Sequence, residues 1–372
     1  MKKNHIDPKR IVTAMEDNFK SVLTKPSLKN MILLVIAISL ADKLKINEIS
    51  RKLPTDVSHQ KVKQTRLRRI LKRTYPLFDI MFSWTSFVVK KVYGGSNGAI
   101  MILIDGVSLK YDYKAFVAGI PYRKRSIPLM FKVYTDQQIR DMVYLSENWI
   151  IWKFMDQIYD SIQHIFPGRR VIFVFDRGFA DEKLIRYLKY MGANHIMRVP
   201  KNVGIEAFEY RGKLSSFGQL GYFRNIKYHL GKKLEMNLFC GHNPNDEDDP
   251  VFIISDLDDA LGELYKKRMD IEEGFRDIKT LFGFRQLVLK KPTQSRIEIL
   301  FLLAIISMGL LFLLFEKSGY RWSKFYNTSS TKEFSLIHVI KEKIKAAWVN
   351  LRVNPWFSLN YVRFYNINDA YS

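Results

Sequence analysis

Val171-Ile-Phe-Val-Phe-Asp-Arg-Gly-Phe179 is the stretch on which the fold turns. Five apolar residues without a break, all β-branched or aromatic, read as a short buried strand. Asp176 follows at once, and Arg177-Gly178-Phe179 makes a turn. Asp181 is placed to cap a helix over Glu182–Met191, which Gly192 closes. The same pattern occurs upstream. Ile100 to Ile104 is an apolar run that ends in Asp105, directly after the linker Gly94-Gly95-Ser96-Asn97-Gly98. Tyr111–Ala118 and Ile127–Tyr134 read as two further strands around the basic turn Arg123-Lys124-Arg125, in antiparallel succession. An amphipathic helix over Glu147–Phe166, stopped by Pro167-Gly168, leads into the Val171 strand. The expectation is an α/β domain with two strands that each end in a carboxylate.

The flanks have a different character. Residues 1–95 read as helices: one over Asn30–Leu44, one over Ile46–Leu53 stopped by Pro54, and a basic one over Val57–Lys72. Arg66, Arg69 and Arg73 recur at helical spacing and would share one face, the arrangement of a small DNA-reading unit or of a solvated basic helix. From about 193 to 256, short apolar runs alternate with Gly, Asn and Pro, which reads as a β-rich insertion. His242–Pro250 inside it reads as an exposed acidic loop. The expected domains are 1–95, helical and DNA-binding; 96–318, catalytic; and 319–372, a basic, aromatic C-terminal region.

Composition narrows the function. Lys plus Arg number 60 against 37 Asp plus Glu, a net charge of +23. Such an excess suits a polyanionic partner, nucleic acid first. The single cysteine, Cys240, excludes an internal disulfide framework and a cysteine-based zinc cluster. No apolar stretch follows Met1–His5, so no signal peptide is expected. Ile299–Phe315 is 17 residues long with only Ser307 and Gly309 interrupting its apolar character. That is just short of the about 18–20 residues of a membrane span, and a buried core helix is expected.

A second stretch carries the chemistry: Tyr265-Lys-Lys-Arg-Met-Asp-Ile-Glu-Glu-Gly-Phe-Arg-Asp-Ile-Lys279. At about 100° per residue, Tyr265, Arg268, Glu272 and Lys279 fall within one helical strip about 60° wide. Glu273 points elsewhere, so the helix selects Glu272. Leu264, Ile271, Phe275 and Ile278 form an apolar stripe beside it. Taken alone, the strip reads equally well as a solvated charged face. Asp105, Asp176 and Glu272 together make a set of oxygen donors suited to divalent cations that serve phosphoryl transfer.

These residues resemble those of the bacterial insertion-sequence transposases of the Asp-Asp-Glu type, in the subgroup with the Y-x2-R-x3-E-x6-K signature. Tyr265, Arg268, Glu272 and Lys279 match the signature. Asp176-Arg177-Gly178-Phe179 and Asp105 match the first two acids, and Phe252–Leu257 matches the strand before the signature helix. The resemblance covers about residues 100–315.

The resemblance implies a ribonuclease H-like core with a β insertion between the second Asp and the Glu; here 95 residues separate Asp176 from Glu272. It implies a cut-and-paste enzyme that cleaves transposon ends and joins their 3′-hydroxyls to target DNA. Two Mg2+ ions, with Mn2+ as the expected substitute, would be held by Asp105, Asp176 and Glu272. Tyr265, Arg268 and Lys279 would contact the DNA, double-stranded at both ends and target. A homodimer in the synaptic complex, in the bacterial cytoplasm at the nucleoid and with no membrane partner, is also implied. Two other readings stay open at this point: a ribonuclease H-like structure-specific nuclease, and a catalytically silent, transposase-derived DNA-binding regulator.

Overall fold

A computed structural model describes residues 9–55, 59–123, 125–231, 234–243, 246–258, 261–266, 289, 292–326 and 336–353. In chain order the helices are α1 (Lys9–Phe19), α2 (Lys25–Leu40), α3 (Ile46–Lys52), α4 (Gln60–Ile70) and α5 (Leu77–Tyr93). The first three strands follow: β1 (Ile100–Ser108), β2 (Tyr113–Tyr122) and β3 (Arg125–Thr135). Next come α6 (Asp136–Arg140), α7 (Glu147–Ile165), β4 (Val171–Phe175), α8 (Glu182–Met191) and β5 (Asn194–Arg198). Then β6 (Gly204–Ala207), β7 (Tyr210–Lys213), β8 (Gly221–Tyr228), β9 (Leu234–Asn243) and β10 (Asp246–Ser255) precede α9 (Leu261–Lys266). The chain closes with α10 (Gln294–Tyr326) and α11 (Leu336–Val353).

Two compact units share these elements. One comprises residues 1–84 and 276–372, the other residues 85–275, and the division falls within α5. This differs from the linear expectation of 1–95, 96–318 and 319–372. The Gly94–Gly98 stretch is a short turn between α5 and β1, and the long apolar helix belongs to the unit that holds the N-terminal helices. The reason is apolar pairing. Both α2 and the Ile297–Glu316 part of α10 are buried nearly all round, so each needs the other's kind of surface and not water. They pack on each other, and α1, α11 and α3 complete the bundle. Ser307 on α10 donates to Leu303 O at 2.6 Å and to Val35 O on α2 at 3.2 Å, so the polar atom within the apolar run is satisfied. Gln294–Glu316 is long and apolar enough to cross a membrane, but 89% of its most apolar window is buried inside the protein, as in a core helix.

In the second unit the described strands form one sheet of ten, in the order β3-β2-β1-β4-β5-β10-β9-β8-β6-β7. β1, β2 and β3 are antiparallel neighbours, and β1, β4 and β5 run parallel. β4 is buried at all five positions, as an unbroken apolar strand between two others must be. Helix α7 buries Ile150, Ile151, Phe154, Met155, Ile158 and Ile162 and packs on β2, β3 and α8. Asp181 caps α8 through its side chain, and Gly192 ends it at φ 74°, a conformation that costs glycine little.

Two expectations about the insertion change. Asn194–Arg198 is not part of it: β5 pairs in parallel with β4 and is a strand of the core. Within the expected acidic loop at 242–250, Asn243 of β9 stands opposite Asp246 of β10, and residues 246–250 belong to β10. Because β10 pairs with β5, the insertion extends the core sheet and does not form a separate one.

Candidate active site

Four residue pairs join β1 to β4, from Ile100 with Val171 to Leu103 with Val174. Past that point the two strands part. β1 runs on to Ser108, still paired with β2, so Asp105 lies within the strand opposite Val117 and not at its end. β4 stops at Phe175, and the chain turns away through a 3-10 turn over Arg177–Phe179. Asp105 and Asp176 therefore sit at the fork, each two residues beyond the last paired position. Both carboxylates are half-buried and line one open cleft of about 380 Å³.

The fork is held by short-range contacts. The Asp176 carbonyl accepts from the Phe179 N–H at 3.0 Å and closes the turn. The Phe179 ring lies 5.6 Å from that of Phe175 and 6.0 Å from that of Phe116 on β2, which pins the turn to the sheet. Phe116 in turn stacks on Tyr134 at 5.1 Å. Asp105 Oδ1 accepts from the Gly106 N–H at 2.9 Å.

Other polar side chains face the same cleft, and three were not singled out in the sequence: Lys114, Glu147 and Asn148. Glu147 opens α7 and accepts from the Tyr134 hydroxyl. Burial, and then that contact, push the Tyr134 phenol well above its ordinary value. Lys114 pairs with Asp136 at 2.7 Å, and this hydrogen bond raises its ammonium pKa. Asp181 receives the Lys183 N–H at 2.9 Å and the Asn148 amide at 2.8 Å. Its two oxygens are thus committed to a helix cap and a tie to α7, a structural use of the carboxylate. The signal for Glu147 was available, since Ser146 before it is a helix cap, but nothing local says that α7 begins at the fork.

Of the signature residues, Tyr265 is described. It sits near the end of α9, and its hydroxyl donates to Asp176 Oδ1 at a long 3.4 Å. An aromatic expected on DNA thus also reaches the second acid. Arg268, Glu272 and Lys279 lie outside the described residues. Among the described residues, no three Asp, Glu, His or Cys side chains gather as a metal-ligand set. The chemistry of the donors does fit a hard cation: two carboxylates on neighbouring parallel strands, opening on a polar cleft, suit Mg2+.

Helix α4 ends at Ile70, earlier than expected, so Arg73 lies in the turn that follows and does not continue the face of Arg66 and Arg69. Arg69 and Arg73 are exposed; Arg66 is half-buried, and burial lowers its guanidinium pKa.

Residues 151–308 match a family model described as Transposase DDE domain. That stretch is similar to the DDE domain of transposases. The matched stretch contains Asp176 and position 272, while Asp105 lies upstream of it. That family implies a ribonuclease H-like core and generally uses divalent metals. In the described sheet, antiparallel β1–β3 are followed by β4 and β5, parallel to β1. No curated protein matches this sequence. Among solved structures, the Marinitoga piezophila Argonaute in complex with 5′ OH guide RNA and target DNA is similar at 10% identity and a TM-score of 0.27. The match covers 59% of this chain and 37% of the Argonaute chain, and a likeness this weak carries no argument.

Proposed function

We propose that the transposase cleaves the ends of its own element and joins the freed 3′-hydroxyls to target DNA, with Asp105, Asp176 and Glu272 as the metal-holding acids. The observation that carries the reading is the fork: the family's second acid and an upstream aspartate meet at one cleft, where β1 and β4 separate. When bound, Mg2+ supplies activation of the attacking oxygen and stabilisation of the leaving one. The chain's own residues do the rest. Asp105 and Asp176 present carboxylate oxygens from a rigid sheet, so their spacing is set before DNA arrives. Tyr265 steadies the Asp176 carboxylate from α9. Arg268 and Lys279, whose spacing from Glu272 predicts a shared helical strip, neutralise backbone phosphates beside the scissile bond.

Arg66, Arg69 and Arg73 in the helical unit add phosphate contacts that place the DNA end. The +23 charge supports a DNA partner throughout. Action as a homodimer on nucleoid DNA in the cytoplasm completes the proposal. The test is cleavage of DNA carrying the element's ends, with Mg2+ and then Mn2+, comparing wild type with Asp105→Ala, Asp176→Ala and Glu272→Ala. Wild-type cutting by any of the three variants sinks the assignment.

A further inference from the structure

Tyr265 reaches Asp176 because α9 is held at one height above the end of the sheet, and the residues that hold it come from the insertion. Residues 257 and 258, which lead into α9, are tied by three side chains. Asn237 on β9, buried, donates to Leu257 O at 2.7 Å. Tyr222 on β8 donates to the same carbonyl at 2.9 Å. Arg224 on β8 reaches Asp258 O at 3.4 Å. Asn237 is itself fixed, since its Oδ1 accepts from the Asn225 N–H at 3.1 Å.

The helix itself meets a ring. A Cβ at Gly262 would stand 2.9 Å from Phe239 Cζ and 3.1 Å from its Cε1. A Cβ at Gly241 would stand 2.6 Å and 2.9 Å from the same two edge carbons, Cε1 first. The tip of the Phe239 ring therefore fills space that a side chain at either position would take. Gly262 of α9 thus sits against the Phe239 ring of β9, closer than a side chain at 262 would allow. α9 packs on β5, β9 and β10, so this seat lies where the insertion meets the core.

We infer that the β insertion is the brace of the active site: Phe239, seated against Gly241 and Gly262, and Asn237, holding Leu257, set the position of the helix that carries Tyr265 and leads on to Glu272. Phe239 and Asn237 are positioning residues; neither lines the acidic cleft. The inference rests on the proposed role of Asp176 and Glu272 and assigns the insertion a job within it.

Gly262→Ala is read at the rate and not at Tm. Alanine is the better helix former, but its methyl group crowds the Phe239 ring, so the two effects on Tm oppose each other. The brace instead requires a lower rate. A shift on the order of 1 Å at the site gives about a tenfold to hundredfold drop in kcat for end cleavage, with KM for end DNA little changed. Phe239→Leu in the same chain makes room for the new methyl group and restores most of the rate. Wild-type kcat in Gly262→Ala, when Asp176→Ala and Glu272→Ala are inactive, overturns the brace and leaves the acid assignment standing. A defect that Phe239→Leu does not relieve overturns it as well. Amide hydrogen exchange gives a readout that needs no cleavage: Asn237→Ala accelerates exchange over residues 257–266, and unchanged exchange there overturns the inference whatever the protein does to DNA.

Discussion

Asp105 and Asp176 each lie two residues past the last pair that joins β1 to β4, Leu103 with Val174. Asp105 is still within β1, paired there with β2, and Asp176 stands just beyond the end of β4. The register of β1 on β4 and the fork that follows it bring the two carboxylates to one cleft. A sheet stiff with buried apolar side chains holds that arrangement, which is why Asp105→Asn is expected to keep the fold and Tm while removing a charge the cleavage reaction needs. Circular dichroism and a cleavage assay on the same preparation check it. A charge-neutral substitution that cuts at the wild-type rate would remove Asp105 from the site.

The contact from Tyr265 to Asp176 is long, and a hydrogen bond at 3.4 Å is weak. Tyr265→Phe is therefore expected to slow cleavage far less than Asp176→Ala, by about tenfold or less, the effect of losing about 1 kcal/mol. Single-turnover kinetics of the two variants decide the matter. Equal losses would show that the hydroxyl does more than steady the carboxylate.

His195 on β5 is fully buried, with Nδ1 3.4 Å from Asp256 Oδ1. Desolvation lowers its pKa to about 4 from 6.5, against the pull of Asp256 and with help from Lys189. In the unfolded chain the imidazole takes up its proton near pH 6.5; in the native protein it resists until about pH 4. The unfolded state thus binds more protons between those values. Stability is intact above pH 6.5 and falls as the pH drops toward 4, by on the order of 3 kcal/mol from this one group. Thermal unfolding across that window, wild type against His195→Leu, checks the sign: the variant should lose much of the slope.

DNA affinity should follow phosphate contacts. Arg69 is exposed on α4 and Arg73 in the turn after it. Each substitution to Ala is expected to lower the slope of log affinity against log salt by about 0.9, with no change in sequence preference. Fluorescence anisotropy over a salt series measures it. An unchanged slope in both would make the basic stretch of α4 a solvated face.

In the helical unit, α10 and α11 meet at Gly319, where an added Cβ would lie 2.5 Å from Ile340 Cγ1. Gly319→Ala is expected to overpack this crossing and cost about 1–3 kcal/mol despite the better helix propensity of alanine. Chemical denaturation reads the loss, and Ile340→Val in the same chain should recover part of it.

Local pattern settled much of this protein. Val171–Phe175, Glu182–Met191, the Asp181 cap and the Gly192 stop follow from residues that touch their chain neighbours, and the structure has them at those positions. Whether an aspartate closes a strand or sits within it is a different kind of question. β1 continues past Asp105 because β2 pairs with it, and that partner is supplied from elsewhere in the chain. Likewise, β5 belongs to the core because β4 lies beside it, not because its composition differs from that of the insertion. Helix α10 shows the same limit. Its apolar run says that it must be buried, but only packing says that α2 is among the helices that bury it. Short-range chemistry thus determined the elements and named the two aspartates. Tertiary structure decided the fork at which they meet, the acids and lysine that share their cleft, and the seat of α9 on Phe239. Those depend on which surfaces come together across long stretches of chain, and no local spacing encodes that.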